Sequence, residues 1–101
     1  MQMVLIVFRS SLELDLLQVL ATLGVRAYTD FQRVMGVGET GARLDTFERP
    51  GFNSLILTAL DDAEAIRVID GLRRFRDESA ARQQGAKIPL RAFVVPCVQA
   101  L

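Results

Sequence analysis

The sequence predicts an α+β domain, in which a four-stranded antiparallel sheet carries two helices on one face. Three observations predict it. Apolar runs typical of strands occupy residues 3–8, 52–60 and 90–95, and a loosely alternating segment occupies residues 25–37. Two stretches of helical periodicity separate the first segment from the second and the third from the fourth. The element order is therefore β-α-β-β-α-β, in a single domain over residues 1–101.

The first strand and helix have the strongest local signals. Residues 3–8 are continuously apolar, which predicts a strand at the centre of the sheet with both faces buried. Ser10 and Glu13 follow at capping-box spacing, which predicts the helix start, and Gly24 suits a left-handed C-terminal cap. The buried stripe of this helix is predicted at Leu12, Leu16, Val19, Leu20 and Leu23.

The second strand is predicted within residues 25–37, with a bulge near Gln32 or Arg33 because the alternation breaks there. After the third strand, Asp61 and Glu64 repeat the capping-box pattern. The buried stripe of the second helix is predicted at Ala65, Ile66, Ile69, Leu72 and Phe75. Gly71 lies inside this helix, which predicts close packing against another backbone at that point.

A glycine- and charge-rich loop at residues 34–50 joins the two middle strands. Gly36, Gly38 and Gly41 permit positive φ and close backbone approach, and Pro50 with Gly51 predicts a closing turn. The polar residues predicted to present a binding surface there are Glu39, Thr40, Arg43, Asp45, Glu48 and Arg49.

Composition excludes several function classes. Twelve basic and 12 acidic residues balance, so no nucleic-acid footprint is expected. Cys97 is the only cysteine and there is no histidine, which excludes an intrachain disulfide and a Ser-His-Asp triad and leaves no ordinary zinc ligand set. No metal site, no enzyme activity and no membrane insertion are expected, and a cytoplasmic location is the natural interpretation.

The element order is that of the ferredoxin-like fold. The first and third strands should be central, because they are the most continuously apolar. Two helices can cover only one face of four apolar strands, so the other face is expected to lie against another subunit.

The chain resembles the PII signal-transduction superfamily. Residues 7–10 have the apolar pair, basic residue and helix start of that family, and residues 23–25 end the helix at the family's spacing. Residues 34–38 resemble the Gly-x-Gly entry into its T-loop, and residues 93–96 resemble its last core strand. The resemblance implies a ferredoxin-like homotrimer without catalytic activity.

The resemblance also implies binding of a small effector, either an adenine nucleotide (ATP, ADP or AMP) or another anion, between subunits. Gly36 and Gly38 match the loop base near the nucleotide. Gly85 and Lys87 match the phosphate-cradling B-loop, whereas Arg91 is a competing match for its lysine, and both cannot be right. Glu39 and Thr40 replace the family's polar pair, which makes the chain a divergent PII-like protein.

Two functions from different classes remain. The first is a sensing trimer that regulates a partner protein, such as a transporter, an enzyme or a regulator, through the loop at residues 36–50. The second is an interaction module in which the same loop docks on a partner and no ligand is sensed.

Overall fold

The computed structural model describes residues 1–37 and 52–101. Four strands and two helices follow one another in the predicted order, with a 3₁₀ turn at Ser10–Leu12 before the first helix. Their bounds are β1 Gln2–Arg9, α1 Glu13–Thr22, β2 Thr29–Val34, β3 Asn53–Leu60, α2 Asp62–Arg82 and β4 Leu90–Pro96.

The four strands form one antiparallel sheet in the order β2-β3-β1-β4. β1 pairs with β3 from Gln2 opposite Leu60 to Arg9 opposite Asn53, and its other edge pairs with β4. The predicted ferredoxin-like fold is therefore confirmed, and so is the central position of the first and third strands.

The core lies between the sheet and the two helices. Alternate residues of β1, which are Val4, Ile6 and Phe8, are almost completely inaccessible to solvent, and Ile56 of β3 is fully buried beside them. The helices contribute Leu16, Leu20, Ala65, Val68, Leu72 and Phe75 to this cluster. This burial removes apolar surface from water on the helix-covered face of the sheet.

The opposite face of the sheet, which we call the open face, is also apolar. Leu5 lies on it between Leu57 of β3 and Phe93 of β4, its partners in the strand register. Leu5 and Leu57 are half-buried, and Phe93 is 53% exposed. The prediction that β1 is buried on both faces is therefore not met within one chain, because the second face lacks a covering layer among the described residues.

The two helix starts differ. Asp61 caps α2 as predicted, since its Oδ1 accepts a hydrogen bond from the Glu64 backbone N–H over 2.7 Å. The capping box predicted at Ser10 and Glu13 is wrong. A 3₁₀ turn starts there instead, Leu12 caps α1 without a side-chain hydrogen bond, and the Ser10 hydroxyl lies 3.3 Å from the Ser54 hydroxyl on β3.

The buried stripe of α2 differs from the prediction at Ile66, which is 66% exposed. Val68 is buried in its place, so the stripe runs through Ala65, Val68, Leu72 and Phe75. Steps of three and four residues keep these side chains on one helical face, whereas Ile66 lies about 100° away from Ala65.

Close packing at Gly71 is present, but the predicted neighbour is wrong. The contact is with the side chain of Leu23, just after α1, and not with a backbone. Gly24 follows with φ +83°, which confirms the left-handed C-terminal cap of α1.

Candidate functional site

The candidate site begins at one end of the sheet, where β2 ends and β3 begins. Val34 pairs with Asn53, and Asn53 pairs in turn with Arg9 at the end of β1. Arg9 also donates its backbone N–H to the Pro89 carbonyl, immediately before β4. All four strands therefore contribute to this end of the sheet, which we call the loop end.

The predicted bulge in β2 is confirmed at the loop end. The register between β2 and β3 shifts between Phe31 and Val34, and Arg33 has φ +59°, in the left-handed region. The Arg33 guanidinium carbon lies 4.2 Å from the centroid of the Phe52 ring. This cation–π contact joins the last residues of β2 to the residue preceding β3, so it fixes the two described ends of the loop against each other.

Gly36 follows β2 and is exposed. A Cβ added there would lie 3.1 Å from the side-chain nitrogen Nδ2 of Asn53, which is closer than most such contacts. The lack of a side chain at Gly36 thus lets the loop base approach Asn53. Sequence reasoning missed Asn53 and Arg33 as candidate site residues, although the broken alternation at Arg33 was a usable signal.

Gly85 belongs to the C-terminal turn of α2. Its φ is +82°, it has open space where a Cβ would be, and its backbone N–H donates to the Ala80 carbonyl over 2.7 Å. A helix end therefore accounts for this glycine. Because its amide already has an acceptor, a ligand here would meet its Cα surface and not a free N–H.

Lys87 and Arg91 lie on either side of the start of β4, and both are exposed. Arg91 pairs with Val7 in the strand register and therefore shares the open face with it. Lys87 lies in the turn before β4, and Arg91 is the second residue of that strand. Both cations therefore lie at the loop end of the sheet.

Gly36 and Arg91 are not brought together within one chain. Gly36 follows the edge strand β2 and Arg91 lies on the other edge strand, β4, with β3 and β1 between them. Three strand spacings separate these edges, which is roughly 14 Å. The remaining predicted residues, Gly38, Glu39, Thr40, Arg43, Asp45, Glu48 and Arg49, lie outside the described residues.

Residues 1–37 and 52–101 contain neither a candidate metal cluster nor a candidate membrane-spanning helix. No cluster of three or more cysteine and acidic side chains suited to a metal ion occurs there. None of the helices in this part of the chain has the length and apolarity required to cross a bilayer.

The fold and the loop end define a class of protein. Its members are ferredoxin-like subunits that have an open apolar sheet face and a glycine-containing loop between the two middle strands. The family model for nitrogen regulatory protein P-II matches residues 1–100. The chain belongs to the P-II family. No curated protein matches it.

Solved structures with the same fold include CPII from Thiomonas intermedia K12 in complex with ADP, AMP and bicarbonate. It is 16% identical, with a TM-score of 0.68, and the match covers 93% of this chain and 82% of CPII. The apo form of CPII has a TM-score of 0.65 at 16% identity, over 93% of this chain and 85% of the other. A PII-like signalling protein from Thermus thermophilus is 24% identical, with a TM-score of 0.61, over 93% and 83% of the two chains.

Proposed function

We propose that this protein is a PII-like regulatory trimer that binds a small anionic effector in clefts between its subunits. The observation that supports this most is the placement of Gly36 and Arg91. They lie at the same end of the sheet but on opposite edges, so a compact site that contains both would draw them from two neighbouring chains. A site of this kind couples ligand binding to assembly.

The open face supplies the surface for such an assembly. Phe31, Leu55 and Leu57 continue the apolar surface of Leu5 and Phe93 towards β2, since they are paired in the strand register. A single chain leaves this surface in water, and contact with equivalent faces of two further copies would bury it. We propose a homotrimer on this basis.

The effector we propose is an adenine nucleotide, alone or with a second small anion such as bicarbonate. Gly36 and Gly38 would allow close approach of the backbone at the loop base, and Gly85 would do so on the other side of the cleft. Lys87 would supply a point charge, or Arg91 a bidentate contact to phosphate. CPII, which shares this fold, has been solved with ADP, AMP and bicarbonate bound.

The output of the protein is proposed to be a contact between the loop at residues 36–50 and a partner protein, such as a transporter, an enzyme or a regulator, in the cytoplasm. Glu39, Thr40, Arg43, Asp45, Glu48 and Arg49 would form the contact surface. The charges of this loop are mixed, which suits docking on a protein of complementary charge. No catalytic step is proposed.

One observation favours the second candidate, an interaction module without a ligand. The amide of Gly85 is already bonded to Ala80, so a glycine expected to cradle phosphate has a structural explanation. If the module hypothesis is correct, Gly36 serves only the approach to Asn53, and Lys87 is a solvated charge.

Isothermal titration calorimetry separates the two functions. ATP, ADP, AMP and bicarbonate are titrated into the wild type, Gly38→Val, Lys87→Ala and Arg91→Ala. Arg74→Ala is the matched control, because Arg74 is an exposed arginine on α2. We expect at least one anion to bind, and binding to weaken about tenfold or more in Gly38→Val and in one cationic variant, since a bidentate charged contact contributes about 1.5–3 kcal/mol.

Unchanged binding in the three site variants would place the ligand elsewhere. If none of the anions gives a binding heat with the folded protein, the interaction module is favoured.

A further inference from the structure

A polar cluster lies under the start of α1, on the helix-covered side of the sheet. It contains Glu13 of α1, Asp30 and Gln32 of β2, and Ser54 of β3. The Gln32 side-chain amide donates to Glu13 Oε2 over 3.0 Å. Asp30 pairs in register with Ile56, whose side chain is fully buried against the helices, so Asp30 is directed towards α1.

Two oxygens of this cluster have no ordinary hydrogen-bond donor in the part of the chain that the structure describes. They are Glu13 Oε1 and Asp30 Oδ1, and both atoms are buried although the two side chains are partly exposed as a whole. Buried carboxylate oxygens without a donor are costly. Since the two carboxyl groups are hydrogen-bonding neighbours, a proton between them would satisfy both oxygens at once.

The electrostatics agree with a shared proton. Burial raises the pKa of Glu13 above its usual value of 4.5, and the hydrogen bond and the negative charge of Asp30 raise it further, against smaller lowering effects of Gln32 and Ser54. Two neighbouring carboxyl groups cannot both ionise without repulsion.

Among the described residues, the other groups around the pair are neutral or directed away from it. The neutral neighbours are Gln32 from β2 and Ser54 from β3, which itself contacts Ser10. Arg9 ends β1 on the parity of the open face, and the Arg33 guanidinium lies over Phe52. Within residues 1–37 and 52–101, Asp30 is thus the charged group that acts on Glu13 from the elements packed against it.

We propose that Glu13 and Asp30 share one proton, and that this proton joins the start of α1 to the edge strand β2 as a pH-sensitive clasp. Asp30 is the second residue of β2, which ends at Val34, so the clasp holds the edge strand that leads to the loop base at Gly36. Loss of the proton leaves two facing carboxylates and weakens the contact between α1 and β2. The clasp does not depend on any effector.

The sign of the pH dependence follows from the raised pKa. The folded state holds the proton more tightly than the unfolded chain, so the stabilisation is fully present below the unfolded pKa. It is lost as the pH rises through the folded pKa of Glu13. The clasp is therefore closed below the folded pKa of Glu13 and open above it.

The first test is the titration of the Glu13 carboxyl carbon by NMR in the wild type and in Asp30→Asn. We expect a midpoint above 4.5 in the wild type and a lower one in Asp30→Asn, because the neighbouring charge and the shared proton are removed. A wild-type midpoint at or below 4.5 would overturn the proposal. So would the same raised midpoint in both proteins, since burial alone would then explain it.

The second test follows hydrogen exchange at the β2 amides as the pH rises. Protection factors should fall in the wild type through the Glu13 midpoint and stay level in Glu13→Gln, whose amide donates to Asp30 at any pH. Asp15→Asn, a change at an exposed acid of the same helix, should follow the wild type. Protection factors in the wild type that do not change with pH would overturn the clasp. If Glu13→Gln does not fold, the NMR titration still decides whether the two carboxyl groups share a proton.

Discussion

A Cβ placed on Gly71 would lie 2.6 Å from Cδ1 of Leu23 and 2.9 Å from its Cδ2. Gly71 lies in the middle of α2, and Leu23 lies directly after α1, so this contact fixes how closely the two helices approach. Arg67, one turn earlier on α2, reinforces the contact by donating to the Leu23 carbonyl over 2.9 Å.

Gly71→Ala should destabilise the protein even though alanine is the better helix former. The added methyl group overlaps both terminal carbons of Leu23, and a rotation about χ2 of Leu23 leaves the Cγ contact at 3.2 Å unchanged. We expect a loss of up to about 2 kcal/mol in a urea melt, because overpacking typically costs about 1–3 kcal/mol and the higher helix propensity of alanine offsets about 1 kcal/mol of it.

The matched control is the same change in a Leu23→Ala background. Without the Leu23 side chain, the change in unfolding free energy should reverse its sign, and Gly71→Ala should stabilise the protein by up to about 1 kcal/mol. Destabilisation of equal size in both backgrounds would show that Leu23 is not the neighbour that matters.

Ile56→Ala should be among the costly core changes. Ile56 is fully buried at the centre of β3, and truncation of such a side chain costs about 2–5 kcal/mol. Arg74→Ala, on the exposed side of α2, should cost under about 1 kcal/mol. Similar losses for the two variants in urea melts would contradict the assignment of the buried face.

A charge on the open face should dissociate the proposed trimer without unfolding the chain. Phe93 lies on that face and is partly exposed, so Phe93→Asp should yield a monomer mass in sedimentation analysis, with native circular dichroism. Leu14→Asp, at an exposed position of α1, is the control and should leave the mass of the wild type unchanged. A wild-type protein that is monomeric at all concentrations would refute the assembly.

Asp61 should make α2 sensitive to acid. The backbone N–H of Glu64 lowers the pKa of the Asp61 carboxyl, so its stabilisation is present above the unfolded pKa and is lost as the pH falls. The melting temperature of the wild type should exceed that of Asp61→Asn near neutral pH, and the difference should shrink towards pH about 3, below the usual range of the carboxyl. If the melting-temperature difference between the wild type and Asp61→Asn does not change with pH, the charged form of Asp61 is not what stabilises the helix start.

Periodicity was sufficient to predict the strands, both helices and the central position of β1 and β3, because each depends on which residues are apolar. It failed at Ser10 and Glu13, where the local capping pattern competes with tertiary contacts to Ser54 and Gln32 that lie far away in sequence. It also placed Ile66 in the core, since one apolar residue next to a buried stripe cannot be distinguished from a member of it.

The candidate site was harder to predict than the fold. Gly36 and Arg91 are recognisable by residue type, but their positions on opposite edges follow from the strand order, which only the assembled sheet defines. Asn53 and Arg33 were missed because their relevance comes from their contacts with Gly36 and Phe52.

The most direct test of an effector site shared between subunits is ADP calorimetry on the wild type and on Phe93→Asp at matched chain concentration. We expect the wild type, as the proposed trimer, to bind ADP and the monomeric variant to lose binding, because Gly36 and Arg91 then have no partner chain to complete the cleft. Equal binding by a folded monomer would contradict the account.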